Sequence, residues 1–341
     1  MNSFTLTQAT AIDEALRDKA SHDNSAYLGG GTNLIDLMKE NVASPTHLTS
    51  LHKLPLSQIE RAPDGGLRLG ALATNAETAY HPEVEKHYPL LSQTILAGAT
   101  PQLRNMATDG GNLMQRTRCY YFYDLATPCN KREPGTGCSA IGGYNRIHAI
   151  LGASEQCIAT HPSDMCVALA ALEAVVQVSG PDGERRIKFE DFHRLPGERP
   201  ELDNTLQPGE LITAVDLPEK GFAKHFTYLK LRDRTSYAFA AVSVAAALEL
   251  DGNTIREARL ALGGVAHKPW RSKEAEALLV GRPATVETFR QAADQVVNGA
   301  VGQGSNDFKI ELARRAVVRA LKQATEMNYE LDENAFLNSN P

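Results

Sequence analysis

The chain carries five cysteines, an odd number, and their placement is the first hint of chemistry. Cys119, Cys129, Cys138 and Cys157 fall within 39 positions, spaced C-x9-C-x8-C-x18-C, and Cys166 follows in an Ala/Leu-rich stretch. None occurs in the first 118 residues or the last 175. Thiolates are metal ligands, but the close cysteine pairs of zinc ribbons and fingers are absent. Longer spacings suit a loop wrapped around a larger object, such as an iron–sulfur cube. Reduced thiols that bind nothing are the plainer alternative, and zinc a third. Arg116, Arg118, Lys131 and Arg132 flank the set, and Tyr120, Tyr121, Phe122 and Tyr123 could wall an anionic cluster from water. A chain of 341 residues does not need disulfides to fold. The start, Met1-Asn2-Ser3-Phe4, lacks the basic and apolar regions of an export signal, so a disulfide framework is not expected. Cys166 reads as a small buried hydrophobe.

Two glycine-rich stretches could hold an anion and a flat ring. Leu28-Gly29-Gly30-Gly31-Thr32-Asn33 joins a predicted strand to a predicted helix. Glycines there let the main chain turn tightly and approach a ligand, and free N–H groups at the helix start attract an anion such as a pyrophosphate. It is not a dinucleotide fingerprint, because Leu34 stands where the third glycine would fall, and no Gly-Lys-Ser/Thr closes it as a P-loop. A plain glycine turn remains open. Residues 98–112 read as a small-residue helix running into a loop with Gly110, Gly111 and several amides and hydroxyls, donors suited to a flavin edge and its ribityl and phosphate oxygens. An Asn/Gly turn is the alternative. His161-Pro162-Ser163-Asp164 is a helix start that could also orient polar groups toward a ribityl chain or ribose, and Lys230-Leu231-Arg232-Asp233-Arg234 puts three cations at a strand end.

The elements that must position these groups follow from composition and period. Hydrophobic residues make up 42% and charged residues 22%, which excludes disordered, collagen-like and coiled-coil chains. A net charge of -6, one Trp and 6% aromatics argue against a nucleic-acid partner. No apolar run reaches the ~20 residues of a membrane span; the longest covers 238–248. Helices are predicted at 10–19, 33–38, 90–95, 165–176, 272–280, 286–297 and 308–327. Strands are predicted at 25–28, 47–51, 66–72, 174–178, 210–216, 225–230, 238–250 and 254–262. Residues 116–152 have no sustained period, and a loop of that length is usually functional.

The set of motifs, in this order, resembles the FAD-binding medium subunit of the molybdenum hydroxylases, the xanthine dehydrogenase family: residues 27–34, 98–112, 161–164 and 230–234, then Ala261-Leu262-Gly263-Gly264-Val265-Ala266-His267-Lys268-Pro269-Trp270-Arg271. The cysteine insert, with Asn130-Lys131-Arg132 and Gly135-Thr136-Gly137-Cys138, is similar to that of the trimeric bacterial aldehyde oxidoreductases, whose FAD subunit carries a 4Fe-4S cluster. The resemblance implies an α+β fold of the vanillyl-alcohol oxidase type. Two FAD-binding subdomains would span 1–55 and 56–221, the second with the iron–sulfur insert at 116–157. A C-terminal domain at 222–341 would be a three-stranded antiparallel sheet with helices.

By the same resemblance, Tyr27, Leu28, Gly29, Gly30, Gly31, Thr32 and Asn33 would wrap the pyrophosphate of FAD. Thr108, Gly111 and Asn112 would lie along the flavin and its phosphates, Asp164 near the ribityl or ribose, and Lys230 near the isoalloxazine. Leu34, Gly98, Ala99, Arg104, Gly110, Ser163 and Leu206 complete the implied cofactor set, and Cys119, Cys129, Cys138 and Cys157 would ligate the cluster. No catalytic acid or base is expected in this chain. Partners would be a molybdopterin-binding large subunit and a 2Fe-2S small subunit in a heterotrimer, with an external electron acceptor. The complex would be periplasmic, exported folded with a partner, or cytoplasmic. Alternatives are a medium subunit of another molybdenum hydroxylase, such as xanthine dehydrogenase or an aromatic acyl-CoA reductase, a free-standing flavin oxidase, and a scaffold that has lost its flavin.

Overall fold

The computed structural model describes residues 1–62 and 64–326. Its first sheet is parallel, with strands β1 (Thr5–Gln8), β2 (Ser25–Leu28) and β3 (His47–Ser50) in the order β1-β3-β2. Helices Ile12–Ala20 and Leu34–Lys39 make the crossovers that parallel pairing requires. Ligands of parallel sheets sit beyond the carboxyl ends of the strands, and the triple glycine follows directly on the end of β2.

The second sheet has five antiparallel strands: β4 (Ile59–Arg61), β5 (Leu67–Gly70), β6 (Val175–Gly180), β7 (Gly183–Lys188) and β8 (Leu211–Leu217), in the order β4-β5-β8-β6-β7. Asp216 on β8 ties three strands together. It accepts two bonds from Arg68 of β5, at 2.7 and 2.8 Å, and one from Gln177 of β6 at 2.6 Å. A fork-on-carboxylate pair of this kind adds geometric specificity to the register.

The third sheet runs β12-β11-β10-β9 and is antiparallel, from β9 (His225–Leu231), β10 (Val242–Asp251), β11 (Thr254–Gly263) and β12 (Trp270–Arg271). The expected three strands are present, and a two-residue fourth adds to the edge. Helices Lys273–Leu279, Val286–Val296 and Phe308–Glu326 pack on one face; Met327, expected to end the last helix, lies outside the described residues, as does the rest of the C-terminus. Along β10, Val242, Val244, Ala246 and Leu248 join the core under these helices. Ala245 and Ala247 join the other core, shared with helix Asp164–Ala171. Burial on both faces explains why this strand reads as an unbroken apolar run rather than an alternating one.

Helix Asp164–Ala171 is apolar almost all round because it sits between helix Pro89–Ala97 and the third sheet, and Ser163 caps it by accepting the Cys166 N–H at 3.1 Å. In place of the expected helix running into a loop at 98–112, there are two short helices, Pro101–Arg104 and Asp109–Leu113, capped by Thr100 and Thr108. Besides β12, three strands went unpredicted. β1 is mostly exposed, β4 is three residues long with two exposed, and β7 carries four charged residues; all three are edge strands, where no alternation is imposed.

Candidate functional site

The main chain of the glycine loop lies directly against the segment that precedes Thr108. A Cβ on Gly30 would stand 1.8 Å from the Met106 carbonyl oxygen, and Gly31 has a φ of +73°. Side chains are excluded at the first position by contact and disfavoured at the second by conformation. Thr108 accepts the Gly111 N–H at 3.2 Å, and its hydroxyl oxygen is 3.0 Å from where a Gly29 Cβ would lie. The two glycine-rich stretches, far apart in sequence, therefore form one surface.

Two cavities flank that surface, of about 490 and about 460 Å³, and both are lined by Thr32, Asn33 and Gly111. Such volumes suit cofactor-sized ligands. Tyr27, Gly29, Gly30, Gly31, Leu34, Thr108, Gly110 and Leu206 line the second cavity, with Leu37, Leu51, Leu72, Leu211 and Ile212 giving it an apolar wall. Gly98, Ala99, Arg104, Asn112, Ser163, Asp164 and Lys230 line the first. Of the residues expected to touch a cofactor, Leu28 lines neither cavity. Ala99 holds a φ of +50°, rare for a residue with a side chain, and the Arg104 guanidinium steadies that turn by donating to the Gly98 carbonyl at 2.8 Å.

The polar groups of the first cavity are fixed from behind. Asn112 donates to Asn75 at 2.7 Å and accepts from Gln115 at 3.0 Å and from Ser163. Asn75 in turn donates to the fully buried Asp109 at 2.7 Å, and Thr78 donates to the other oxygen of that carboxyl. Burial pushes the Asp109 carboxyl up to about 7, against the pull of the Thr78 and Asn75 bonds. Lys230 extends its ammonium to Asp164 at 2.7 Å and to the Ala97 carbonyl at 3.1 Å, and Tyr228 donates to the same Asp164. Lys230 is thus neither a free cation nor the solvated strand end that the charge run suggested. Burial, then the Asp164 charge, hold the Tyr228 phenol protonated well above its ordinary range.

Asn75, Gln115, Arg118, Tyr237 and Phe239 also line the first cavity and escaped the sequence reading. Arg118 had a signal: residues 116–119 alternate. Arg116 lines the second cavity and Arg118 the first, while Thr117 and Cys119 point into a third space on the other side.

That third space gathers all four insert cysteines around about 10 Å³ of free volume, closed by Tyr121, Phe122, Ala140 and Ala159. None is in a disulfide; Cys119, Cys129 and Cys157 are buried, and Cys138 is half-buried. Burial pushes the Cys119 thiol up to about 12 and the Cys157 thiol up to about 11. Among the described residues, the groups of three whose ligand atoms all lie within 4.8 Å are His161, Cys166 and His193, and Asp18, His22 and His47. The insert sulfurs form no such group, so they stand wider than the ~4 Å edges of a single tetrahedral zinc ion. Cys166 stays apart, fully buried in its helix.

The expected walls and counter-charges are only partly in place. Tyr121 and Phe122 face the sulfurs, whereas Tyr120 is 49% exposed and Tyr123 turns to Asp36 and Arg118. The four flanking cations all have partners. Arg116 pairs with Asp203 at 2.7 Å, Lys131 binds Asp203 and the Pro200 carbonyl, Arg118 pairs with Asp36 at 3.1 Å, and Arg132 donates to the carbonyls of Tyr121, Phe122 and Thr127. Burial would raise the Asp203 carboxyl, but the charges of Arg116 and Lys131 outweigh it and hold the group well below the usual carboxylate range. These residues brace the loop, and Lys131 also lines the sulfur space, where its charge works against the burial that raises the Cys157 thiol.

Residues 2–220 match the family described as the FAD binding domain in molybdopterin dehydrogenase, and residues 226–324 match the carbon monoxide dehydrogenase flavoprotein C-terminal domain. The chain is 48% identical over 326 residues to the aldehyde oxidoreductase FAD-binding subunit PaoB of Escherichia coli (strain K12), covering 95% of this chain and 99% of that protein. It is 26% identical to the glyceraldehyde dehydrogenase medium chain of Sulfolobus acidocaldarius, covering 94% and 98%. Among solved structures, a chain of carbon monoxide dehydrogenase from Hydrogenophaga pseudoflava superposes with a TM-score of 0.74 at 24% identity, covering 95% and 98%, which speaks for the fold alone. The paired glycine surfaces, the sheet order and these matches agree: the chain is an FAD-binding medium subunit of the molybdenum hydroxylase family.

Proposed function

We propose that this chain is the flavin subunit of a molybdenum-dependent aldehyde oxidoreductase, and that its insert cysteines hold a 4Fe-4S cluster. The observation that carries the first half is the 48% identity, over 95% of the chain, to an aldehyde oxidoreductase FAD-binding subunit. Partners would be a molybdopterin-binding subunit, where the aldehyde becomes an acid, and a 2Fe-2S subunit. Bound FAD supplies the capacity to take electrons from such a partner and pass them to an external acceptor.

The residues present fit FAD. The cavity with the leucine wall suits an aromatic base, Gly29, Gly30 and Gly31 bring main-chain N–H groups to the junction, and the polar cavity suits a ribityl chain and a ring edge. Asn33 sits at the junction with its side-chain nitrogen buried and without a hydrogen-bond partner, a donor left for a ligand oxygen. Asn112 and Ser163 would orient the ligand, held in place by the Asn75–Asp109 network. Four reduced thiols around one closed space are the donor set of a cubane cluster.

The test is composition. The chain, purified with its co-expressed partners, should be yellow-brown, release FAD on denaturation and contain iron and acid-labile sulfide, with a paramagnetic signal after reduction. A colourless protein without FAD refutes the flavin reading. Flavin without iron in this subunit refutes the cluster alone.

A further inference from the structure

We propose that His148 is a positioning residue for the insert's metal group, donating a hydrogen bond from its ring to the Cys119 sulfur and so raising the reduction potential of that group; this rests on the cluster reading above. The His148 Nε2 lies 3.0 Å from Cys119 Sγ, in a buried contact. A cysteine that ligates a metal is a thiolate and has no proton to give, so the ring must be the donor. A neutral imidazole carries one N–H, which this contact places on Nε2. Consistently, His148 Nδ1 is buried and has no hydrogen-bond partner.

The ring is held where it is by its own main chain. The His148 carbonyl accepts from the fully buried Lys309 ammonium at 2.7 Å and from Asn306 at 3.2 Å, and the His148 N–H donates to Asn145 at 3.0 Å. Lys309 also binds the Gly264 carbonyl, so the third sheet anchors the segment. The other described donors to insert sulfurs are main-chain, Ala159 N–H to Cys157 at 3.4 Å and the Phe122 and Tyr121 N–H groups beside Cys119, which leaves His148 as the side chain whose replacement can probe the effect. A donor to a cluster sulfur favours the state with the extra electron, and hydrogen bonding to sulfur is one of the levers that set such potentials.

The experiment uses the full chain with its co-expressed partners, as wild type, His148→Leu and His148→Gln, comparing iron content, the paramagnetic signal after reduction and the midpoint of a redox titration. The expected result is iron unchanged in all three, a midpoint shifted negative in His148→Leu, and a smaller shift in His148→Gln, which keeps a donor. An unshifted midpoint with iron retained overturns the hydrogen bond and leaves the cluster standing. Loss of iron from either variant also overturns it, because the ring would then be needed to keep the metal rather than to tune it. A wild-type subunit without iron sinks the cluster reading itself.

Discussion

The flavin surface and the sulfur cavity share one extended wall but are built by opposite means. On the side proposed for flavin, the wall between the two cavities is largely main chain: Gly29, Gly30, Gly31 and Gly111 leave it without side chains, and the free space amounts to several hundred Å³. On the sulfur side four side chains converge on a space near 10 Å³, and the loop that carries them has little regular structure beyond the single turn Tyr120–Tyr123. A long, flat ligand needs a surface without Cβ atoms, whereas a metal group needs donors that only side chains supply. The loop on the second side is held by bonds from long side chains to distant carbonyls. Arg132 clamps residues 121–127, Lys131 reaches Pro200, and Asn130 binds Gln156 at 2.9 Å while accepting from Gly135 and Gly137.

Three substitutions can break or sharpen this contrast. The largest effect is expected from Gly30→Val. With the Met106 carbonyl 1.8 Å from the new Cβ, the two glycine stretches must part, and flavin absorbance per chain should fall nearly to zero while iron is retained. Equal loss of both would mean the two sides are not separable. Next comes Cys129→Ser, which should strip most of the iron and leave FAD bound, with Cys166→Ser as a control that keeps both. Iron loss in both variants would refute the choice of four ligands.

The smallest effect concerns the brace. Lys131→Met leaves Asp203 with one fewer cation, and breaking a buried pair costs ~3 kcal/mol or more. Asp203 keeps Arg116 and is one-fifth exposed, so about 2 kcal/mol is expected at neutral pH, read from urea unfolding of this chain. The pH dependence follows from the depressed Asp203 carboxyl. Its contribution is whole above the ordinary value of 3.8 and fades as pH falls from there toward the lower folded value. Wild type should therefore lose stability on acidification below about pH 4 more steeply than Asp203→Asn. Parallel curves would dismiss the brace.

Much of this arrangement was legible in the linear chain, for physical reasons that also explain the gaps. The strand–glycine–helix order around Gly30 and the apolar run of β10 are local signals, imposed by backbone geometry and by burial. The gathering of cysteines is a matter of counting. What escaped is relational. Asn75 lies 34 positions from Asp109 and 37 from Asn112, so no local pattern joins them. Tyr120 and Tyr123 share a run with Tyr121 and Phe122, but one turn of helix exposes Tyr120 and takes the Tyr123 hydroxyl to Asp36 and Arg118, and residue type alone could not sort them. The charge run at residues 230–234 hid the Lys230–Asp164 pair, since the partner begins a helix 66 positions earlier.

The two-sided stretch at residues 116–119 has an evolutionary corollary. Its odd and even members open onto separate cavities. A substitution at Thr117 or Cys119 would change the sulfur space and leave the opposite face untouched. A deletion or duplication of a single codon there would swap the two sides within the stretch and disturb both compartments at once.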